Sequence, residues 1–340
     1  MKKELLKVLS HEMLTRSETR NILIGIANRQ YPDTQVAALL AALALRGTTV
    51  DELLGFRDGM METGNHVTLN NPRFIDIVGT GGDCKNTFNI STASCFVVAG
   101  AGYKVAKHGN YSATSVSGAS NVIENHGITF TTDNELLQRS IDQSGVAYLH
   151  ARLFANAMKS VAGVRSQLAF PTVFNLLGPI CNPATPPCQM LGVATLDQMR
   201  LYSQLYHRLH VDYVIVNSID GYDEISLTGE FKVTTNRYER IFKPEDIGFK
   251  RVNPNDIHGG DTAMQAKALF DAVLESTAPQ GCLDVVVANA AFAIQALEHF
   301  QKPLPECVNT ARASLTEGRA LEAFRTFAAL NAATPKHDRP

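Results

Sequence analysis

Arg73-Phe74-Ile75-Asp76-Ile77-Val78 runs directly into Gly79-Thr80-Gly81-Gly82-Asp83, and the chain then passes Asn89-Ile90-Ser91-Thr92 into an apolar stretch ending at Gly100. A short apolar run, a glycine loop and a helical stretch make one strand–loop–helix unit, the repeating element of an α/β sheet. Three glycines in four positions let backbone N–H groups approach a ligand closely. The loop leads to a helix start with Ser91 as its N-cap, where unpaired N–H groups and the helix dipole favour an anion. These features together make a mechanism for holding phosphate. Cys84 ahead of Lys85 excludes a Walker A loop, and it also breaks the dinucleotide fingerprint that Gly79 and Gly81 begin.

Outward from this unit the same grammar repeats. Val105 and Ala106 form a short strand, followed by Lys107-His108-Gly109-Asn110, a loop with Ser112, Thr114, Ser115, Ser117 and Gly118, and a helix near 119–126. Lys107 supplies a point charge and the hydroxyls and amides supply short donors. So polar a stretch is costly to bury without a ligand. Later strands are expected at Met190–Ala194, Tyr213–Asn217, Glu230–Thr234 and Asp284–Val287. Asp223 and Glu224 follow the second of these. Adjacent carboxylates at the carboxyl edge of a sheet suit Mg²⁺. In extended chain they point to opposite sides, so each can reach a different ion.

Before residue 65 the chain reads as helices. Thr15-x-x-Glu18 and Thr49-x-x-Glu52 are capping boxes. Thr34 to Arg46 is apolar nearly all round and stops at Gly47, which predicts burial in a domain core or against a second chain. Residues 155–184 are again helical, ending in Gly178-Pro179 and Asn182-Pro183. Within them Arg165 lies among apolar neighbours, its guanidinium able to fork onto a carboxylate. The last forty residues read as two helices and a polar tail, frayed from Pro335 to Pro340. No internal repeat is visible.

The chain has 340 residues, enough for about two domains. Its net charge of 31 − 33 = −2 excludes a protein that grips polyanions by bulk charge, so no nucleic-acid partner is expected. The longest apolar run, Val36 to Leu45, is about half of what a bilayer requires, and the amino-terminal stretch lacks a signal-type apolar core. The expectation is therefore a cytoplasmic protein with no membrane partner and with its six cysteines reduced. Cys181, Cys188, His207 and His210 offer a subordinate reading as a zinc site.

Gly-Thr-Gly-Gly-Asp at 79–83, Asn-Ile-Ser-Thr at 89–92, Lys-His-Gly-Asn at 107–110, Phe-Asn-Leu-Leu-Gly-Pro at 174–179 and Asp-Glu at 223–224 together resemble the anthranilate phosphoribosyltransferase family, in its order and spacing. The resemblance covers nearly the whole chain. It implies a small helical domain (1–69 with 155–184) and a larger α/β domain (70–154 with 185–340). The latter would hold a mixed central sheet of the nucleoside phosphorylase/phosphoribosyltransferase class 3 type, with the site between the domains and two chains paired through the helical ones. The implied reaction is attack of anthranilate's amine on C1 of phosphoribosyl pyrophosphate (PRPP), a step of tryptophan synthesis.

Carried over by motif, PRPP would be held by Gly79, Gly82, Asp83, Thr87, Asn89, Ile90, Ser91, Thr92 and by the run Lys107, His108, Gly109, Asn110, Tyr111, Ser112, Ala113, Thr114, Ser115, with Ala119. Gly79, Asn110 and Arg165 would contact anthranilate, Arg165 through the carboxylate. Ser91, Asp223 and Glu224 would ligate Mg²⁺. Lys107 and His108 would be catalytic, the first electrostatically and the second by taking the late proton. The chain departs from the family's pattern at Tyr111, at Arg152 to Asn156, at Gly163 and at Ala169-Phe170-Pro171, all on the acceptor side. The alternatives are the same donor with another aromatic amine, or a pyrimidine nucleoside phosphorylase-like enzyme. The phosphorylase uses inorganic phosphate and does not need the Asp-Glu pair.

Overall fold

Thr15 Oγ1 accepts the Glu18 N–H at 3.2 Å while the Thr15 N–H donates to Glu18 Oε2 at 2.9 Å. This reciprocal pair starts the helix Arg16–Ala27. Thr49 and Glu52 repeat it at the start of Val50–Thr63. The two helices pack closely because Gly55 and Gly59 leave room. A Cβ at Gly55 would strike the Arg16 carbonyl and the Thr19 hydroxyl, and one at Gly59 would lie 2.8 Å from the Arg20 carbonyl. Glu52 is fully buried, yet its carboxylate is satisfied by the Leu14 N–H at 2.8 Å and by the Arg46 guanidinium. A buried acid is tolerated only with such partners.

The structure, a computed structural model, describes residues 1–112 and 116–332. The expectations for Ala113, Thr114, Ser115 and the tail Pro335–Pro340 lie outside the described residues. The chain forms two compact units, one of Met1–Thr68 with Ala151–Thr185, the other of Leu69–His150 with the chain from Pro186 onward. In the first unit the helix Asp33–Arg46 buries Val36, Leu39, Leu40 and Leu43, but Leu45 is 88% exposed. Its apolar surface is therefore only half used within the unit. The returning segment adds the short helices Ala151–Phe154, Asn156–Ser160, Ala162–Leu168 and Phe174–Leu177. Residues 181–184, expected to be helical, are not, because Asn182-Pro183 closes a turn instead.

The second unit holds seven strands: β1 Ile75–Gly79, β2 Val105–Gly109, β3 Val146–His150, β4 Cys188–Gly192, β5 Asp212–Ser218, β6 Phe231–Thr235 and β7 Glu239–Phe242. Their order is β3-β2-β1-β4-β5-β6-β7. The first five in that order are parallel, while β6 pairs antiparallel to β5 and β7 antiparallel to β6, so the sheet is mixed.

Three expectations are corrected here. Asp284–Val287 is not a strand but part of the helix Gln280–Leu297, buried on every side from Val285 to Leu297. A helix with no polar face shows no 3.6-residue rhythm, so its apolar run reads like a buried strand. By length and composition this helix could also cross a membrane, yet 78% of it is buried inside the unit, where it serves as core. Ser91 is not the N-cap of Ile90–Gly100: Asn89 holds that position and Ser91 lies inside the first turn. Lys107 and His108 do not follow β2 but belong to it. As for the zinc reading, no group of three or more His, Cys, Asp or Glu side chains is placed to hold a metal ion among the described residues. All six cysteines are free.

Candidate active site

The strand order reverses direction at β1, with β2 on one side and β4 on the other. In a parallel sheet the crevice outside the carboxyl ends of two such strands is where ligands bind. Gly79 and Gly192 are the last residues of β1 and β4, paired in register. Asp223, arriving from the turn after β5, packs against both. A Cβ on Gly79 would sit 2.5 Å from Asp223 Oδ2, and one on Gly192 would strike the Asp223 carbonyl oxygen. The Gly81 N–H donates to Asp223 Oδ2 at 2.6 Å, and Gly81 and Gly82 both have positive φ, which a residue with a side chain rarely adopts. Asp83 completes the turn, accepting the Lys85 N–H at 3.2 Å through Oδ1 and the Asp223 N–H at 3.4 Å through Oδ2.

Glu224 faces a different set of partners, the N–H and hydroxyl of Ser91 and the charge of Lys107. Burial and the neighbouring acids Glu224 and Asp83 raise the Asp223 carboxyl well above its ordinary range. Burial likewise pushes Glu224 up to about 7, against the opposing pull of Lys107. Lys107 is 2% exposed, and its Nζ donates to the Ile77 carbonyl at 2.6 Å and reaches Ser91 Oγ at 3.4 Å. Neighbours in a strand face opposite sides, so His108 points away from this group. Its backbone N–H is held by the buried Asp76 at 3.0 Å.

The loop after β2 is braced from several directions. Asn110 Oδ1 accepts the Tyr111 N–H at 2.9 Å, and Asn121 Oδ1 accepts the N–H groups of Ser112 and Gly118 at 3.2 and 3.0 Å. Ala119 opens the helix Ala119–Glu124. Tyr111 bonds Glu124 and lies edge-on to His150. Asn89 Nδ2 donates to the Ser117 carbonyl at 2.9 Å. Asn86 Nδ2 donates to the Gly260 carbonyl at 3.0 Å while its Oδ1 accepts the Val116 N–H at 3.3 Å. Thr87 bridges to His258. Asn89 Oδ1 and Thr92 Oγ1 are buried and take no partner among the described residues, although buried polar atoms are nearly always satisfied. An amide oxygen and a hydroxyl left open at the head of a helix are what a bound polar ligand would engage.

Mg²⁺ accepts one or two carboxylates and fills its remaining positions with water and substrate oxygens. Asp223 and Glu224 with the Ser91 hydroxyl fit that pattern: Glu224 and Asp83 raise the Asp223 carboxyl, Asp83 raises that of Glu224, and a cation relieves the repulsion. Gly192, Asn86 and Asn121 escaped the sequence reading. Gly192 carried no local signal, since the apolar run continues through Val193 and Ala194, whereas Asn121 was visible as the third residue after Gly118, the spacing of a capping box.

Arg165 lies in the first unit, on the helix Ala162–Leu168, and is half-buried. Its Nη2 donates to Asn175 Oδ1 at 3.3 Å, its Nη1 is 3.9 Å from Met158 Sδ, and the guanidinium is 5.7 Å over the Phe174 ring. No carboxylate pairs with it among the described residues, and burial alone pulls its pKa below the ordinary value.

The family described as "Glycosyl transferase family, a/b domain" matches residues 71–321, and "Glycosyl transferase family, helical bundle domain" matches residues 2–64. Anthranilate phosphoribosyltransferase of Phocaeicola vulgatus is 53% identical over 331 residues, covering 97% of this chain and 100% of the relative. The enzyme of that name from Bacteroides fragilis is 50% identical with the same coverage. Among solved structures, anthranilate phosphoribosyltransferase from Thermus thermophilus superposes with a TM-score of 0.90 at 32% identity, covering 96% of this chain and 99% of that one. The Saccharomyces cerevisiae enzyme in complex with PRPP and Mg gives 0.87 at 25% identity, covering 96% of each chain.

Proposed function

This chain belongs to the anthranilate phosphoribosyltransferase family, and on that premise we propose which of its residues carry the transfer of the phosphoribosyl group from PRPP to the amine of anthranilate. The products are N-(5-phosphoribosyl)anthranilate and pyrophosphate, in tryptophan biosynthesis. The observation that carries the reading is the packing of Asp223 against Gly79 and Gly192 at the strand-order reversal. It sets an acidic pair beside the glycine loop.

In this reading the glycine loop with Asp83, Thr87, Asn89, Ser91 and Thr92 holds the donor, joined by Lys107 and the Asn110–Ser112 segment. Asn89 Oδ1 and Thr92 Oγ1 find there the partners they lack among the described residues. Ser91, Asp223 and Glu224 would hold Mg²⁺, which when bound supplies positive charge against the charge that builds on departing pyrophosphate. Lys107 is fixed by the Ile77 carbonyl and needs no reorganisation to offer its charge to the same oxygens, which is electrostatic catalysis by preorganisation. The arylamine attacks as a neutral nucleophile, so positioning and not a strong base supplies most of the help. His108, on the other face of β2, takes the late proton. Gly79 and Asn110 line the acceptor and Arg165 pairs with its carboxylate.

The test is a steady-state assay with PRPP, Mg²⁺ and a panel of aminobenzoates. Anthranilate should be turned over, while aniline, which lacks the carboxylate, should not. Arg165→Ala should raise the KM for anthranilate about tenfold and leave that for PRPP nearly unchanged, since one charge-assisted bidentate contact is lost. Equal changes in both constants contradict the carboxylate assignment.

We also propose a homodimer formed through the helical unit. Leu6, Leu9 and Met13 are each more than half exposed, beside Leu45 at 88%. Exposed large aliphatics gathered in one small unit are characteristic of an interface. Sedimentation equilibrium should find two chains for the unaltered protein and one for Leu45→Glu. A dimer unaffected by that substitution moves the interface elsewhere. The free cysteines, five of the six buried, suit the reducing cytoplasm where we place the enzyme.

A further inference from the structure

The run Phe174-Asn175-Leu176-Leu177-Gly178-Pro179 carries part of the resemblance but has no role in the transfer described above. Its asparagine belongs to a closed pair. The Asn175 N–H donates to the Thr172 carbonyl at 2.9 Å, and the Thr172 N–H donates back to Asn175 Oδ1 at 3.0 Å. Reciprocal bonds of this kind lock a short polar side chain into a turn, as a capping box does. The amide oxygen is thus fixed before any ligand arrives. Arg165 Nη2 docks on that same oxygen at 3.3 Å, with the Phe174 ring and Met158 Sδ as its other neighbours. None of the three is charged. In the same turn Thr172 Oγ1 is buried and has no partner among the described residues.

We propose that Asn175 is a positioning residue for the acceptor, aiming the Arg165 guanidinium with a neutral oxygen so that its full positive charge remains for the carboxylate of the aromatic acid. The inference rests on the reading of Arg165 given under Proposed function. A long arginine side chain loses much rotational freedom when it is fixed, and without an anchor it must pay that entropy on binding. An aspartate at this place would anchor it equally well but would also neutralise it, and the substrate carboxylate would then compete with a resident one. An amide separates the two effects by supplying direction without charge. The face of Phe174 adds a second support that leaves the charge in place.

Asn175→Asp is the decisive variant. It keeps an oxygen for the Thr172 N–H and for Arg165, so the turn survives, and it changes only the charge. The KM for anthranilate should rise about fivefold or more, while the KM for PRPP and the kcat at saturating anthranilate stay within about twofold. Asn175→Ala should raise the KM for anthranilate as well. In an Arg165→Ala background neither substitution should add anything further, because residues acting through one contact are non-additive. If Arg165→Ala itself leaves the anthranilate KM unchanged, the carboxylate reading of Arg165 falls. The positioning role of Asn175 alone is overturned if Arg165→Ala raises that KM but Asn175→Asp leaves it unchanged, moves the PRPP constant equally, or adds in full to Arg165→Ala.

Discussion

Asp223→Asn is expected to lower turnover about 10³-fold at saturating substrates while raising the melting temperature of the metal-free protein. The substitution preserves shape. An amide oxygen can still accept the Gly81 N–H that Asp223 Oδ2 now holds at 2.6 Å, and nothing larger enters the space against Gly79 and Gly192. What disappears is one negative charge from a buried site where Glu224 and Asp83 act on Asp223 and where Lys107 opposes the charge of Glu224. Half-maximal activity should then require much more Mg²⁺. Kinetics that match the unaltered enzyme at every Mg²⁺ concentration remove Asp223 from the metal site.

The gain in stability follows from the same crowding. A carboxyl whose pKa is raised in the folded state keeps its proton after the unfolded chain has lost it. The metal-free protein therefore loses stability as pH climbs from the ordinary carboxylate range to about 7, where Glu224 ionises, and does not regain it above. Asp223 contributes to this loss, its carboxyl being raised by burial and by both neighbours. Melting curves in a chelator at pH 7.5 should place the variant above the parent, and a variant that melts lower shows that the carboxylate is a net support of the fold. Stability set against activity at a charged site is the pattern expected where function demands repulsion that only substrate and metal relieve.

How much of this was legible in the sequence depended on whether local chemistry or tertiary context decided each element. The capping boxes at Thr15 and Thr49 depend on four residues each and formed as written. The glycine loop was legible because positive φ at Gly81 and Gly82 is a local demand. The helix Gln280–Leu297 was not, since its amphipathic signal vanishes when neighbours cover every face. Ser91 shows a subtler limit. Its residue type suits a cap, but Asn89 two positions earlier takes the place, and the serine hydroxyl is left to face Glu224. The role of Arg165 could not be read from spacing at all, because its meaning lies in having no carboxylate partner among the described residues. Gly192 was invisible for a related reason: its neighbour Asp223 is distant in sequence and arrives only through sheet order.

Gly192→Ala tests that tertiary contact directly, and about 10²-fold of activity should be lost through displacement alone. No charge changes and no ligand is removed. The added methyl meets the Asp223 carbonyl oxygen, with the Asp223 carbonyl carbon at 2.7 Å and the Glu224 nitrogen at 3.5 Å behind it. These are backbone atoms and cannot swing aside as a side-chain tip can, so the Asp223–Glu224 segment must shift as a piece. The accompanying overpacking should cost about 1–3 kcal/mol of stability. The two substitutions therefore separate geometry from electrostatics. Both inactivate, but Asp223→Asn should raise the melting temperature of the metal-free protein, whereas Gly192→Ala should lower it. An alanine variant that keeps full activity would mean that the acidic pair tolerates displacement, and the paired glycines at the ends of β1 and β4 would then be features of the sheet and not of the site.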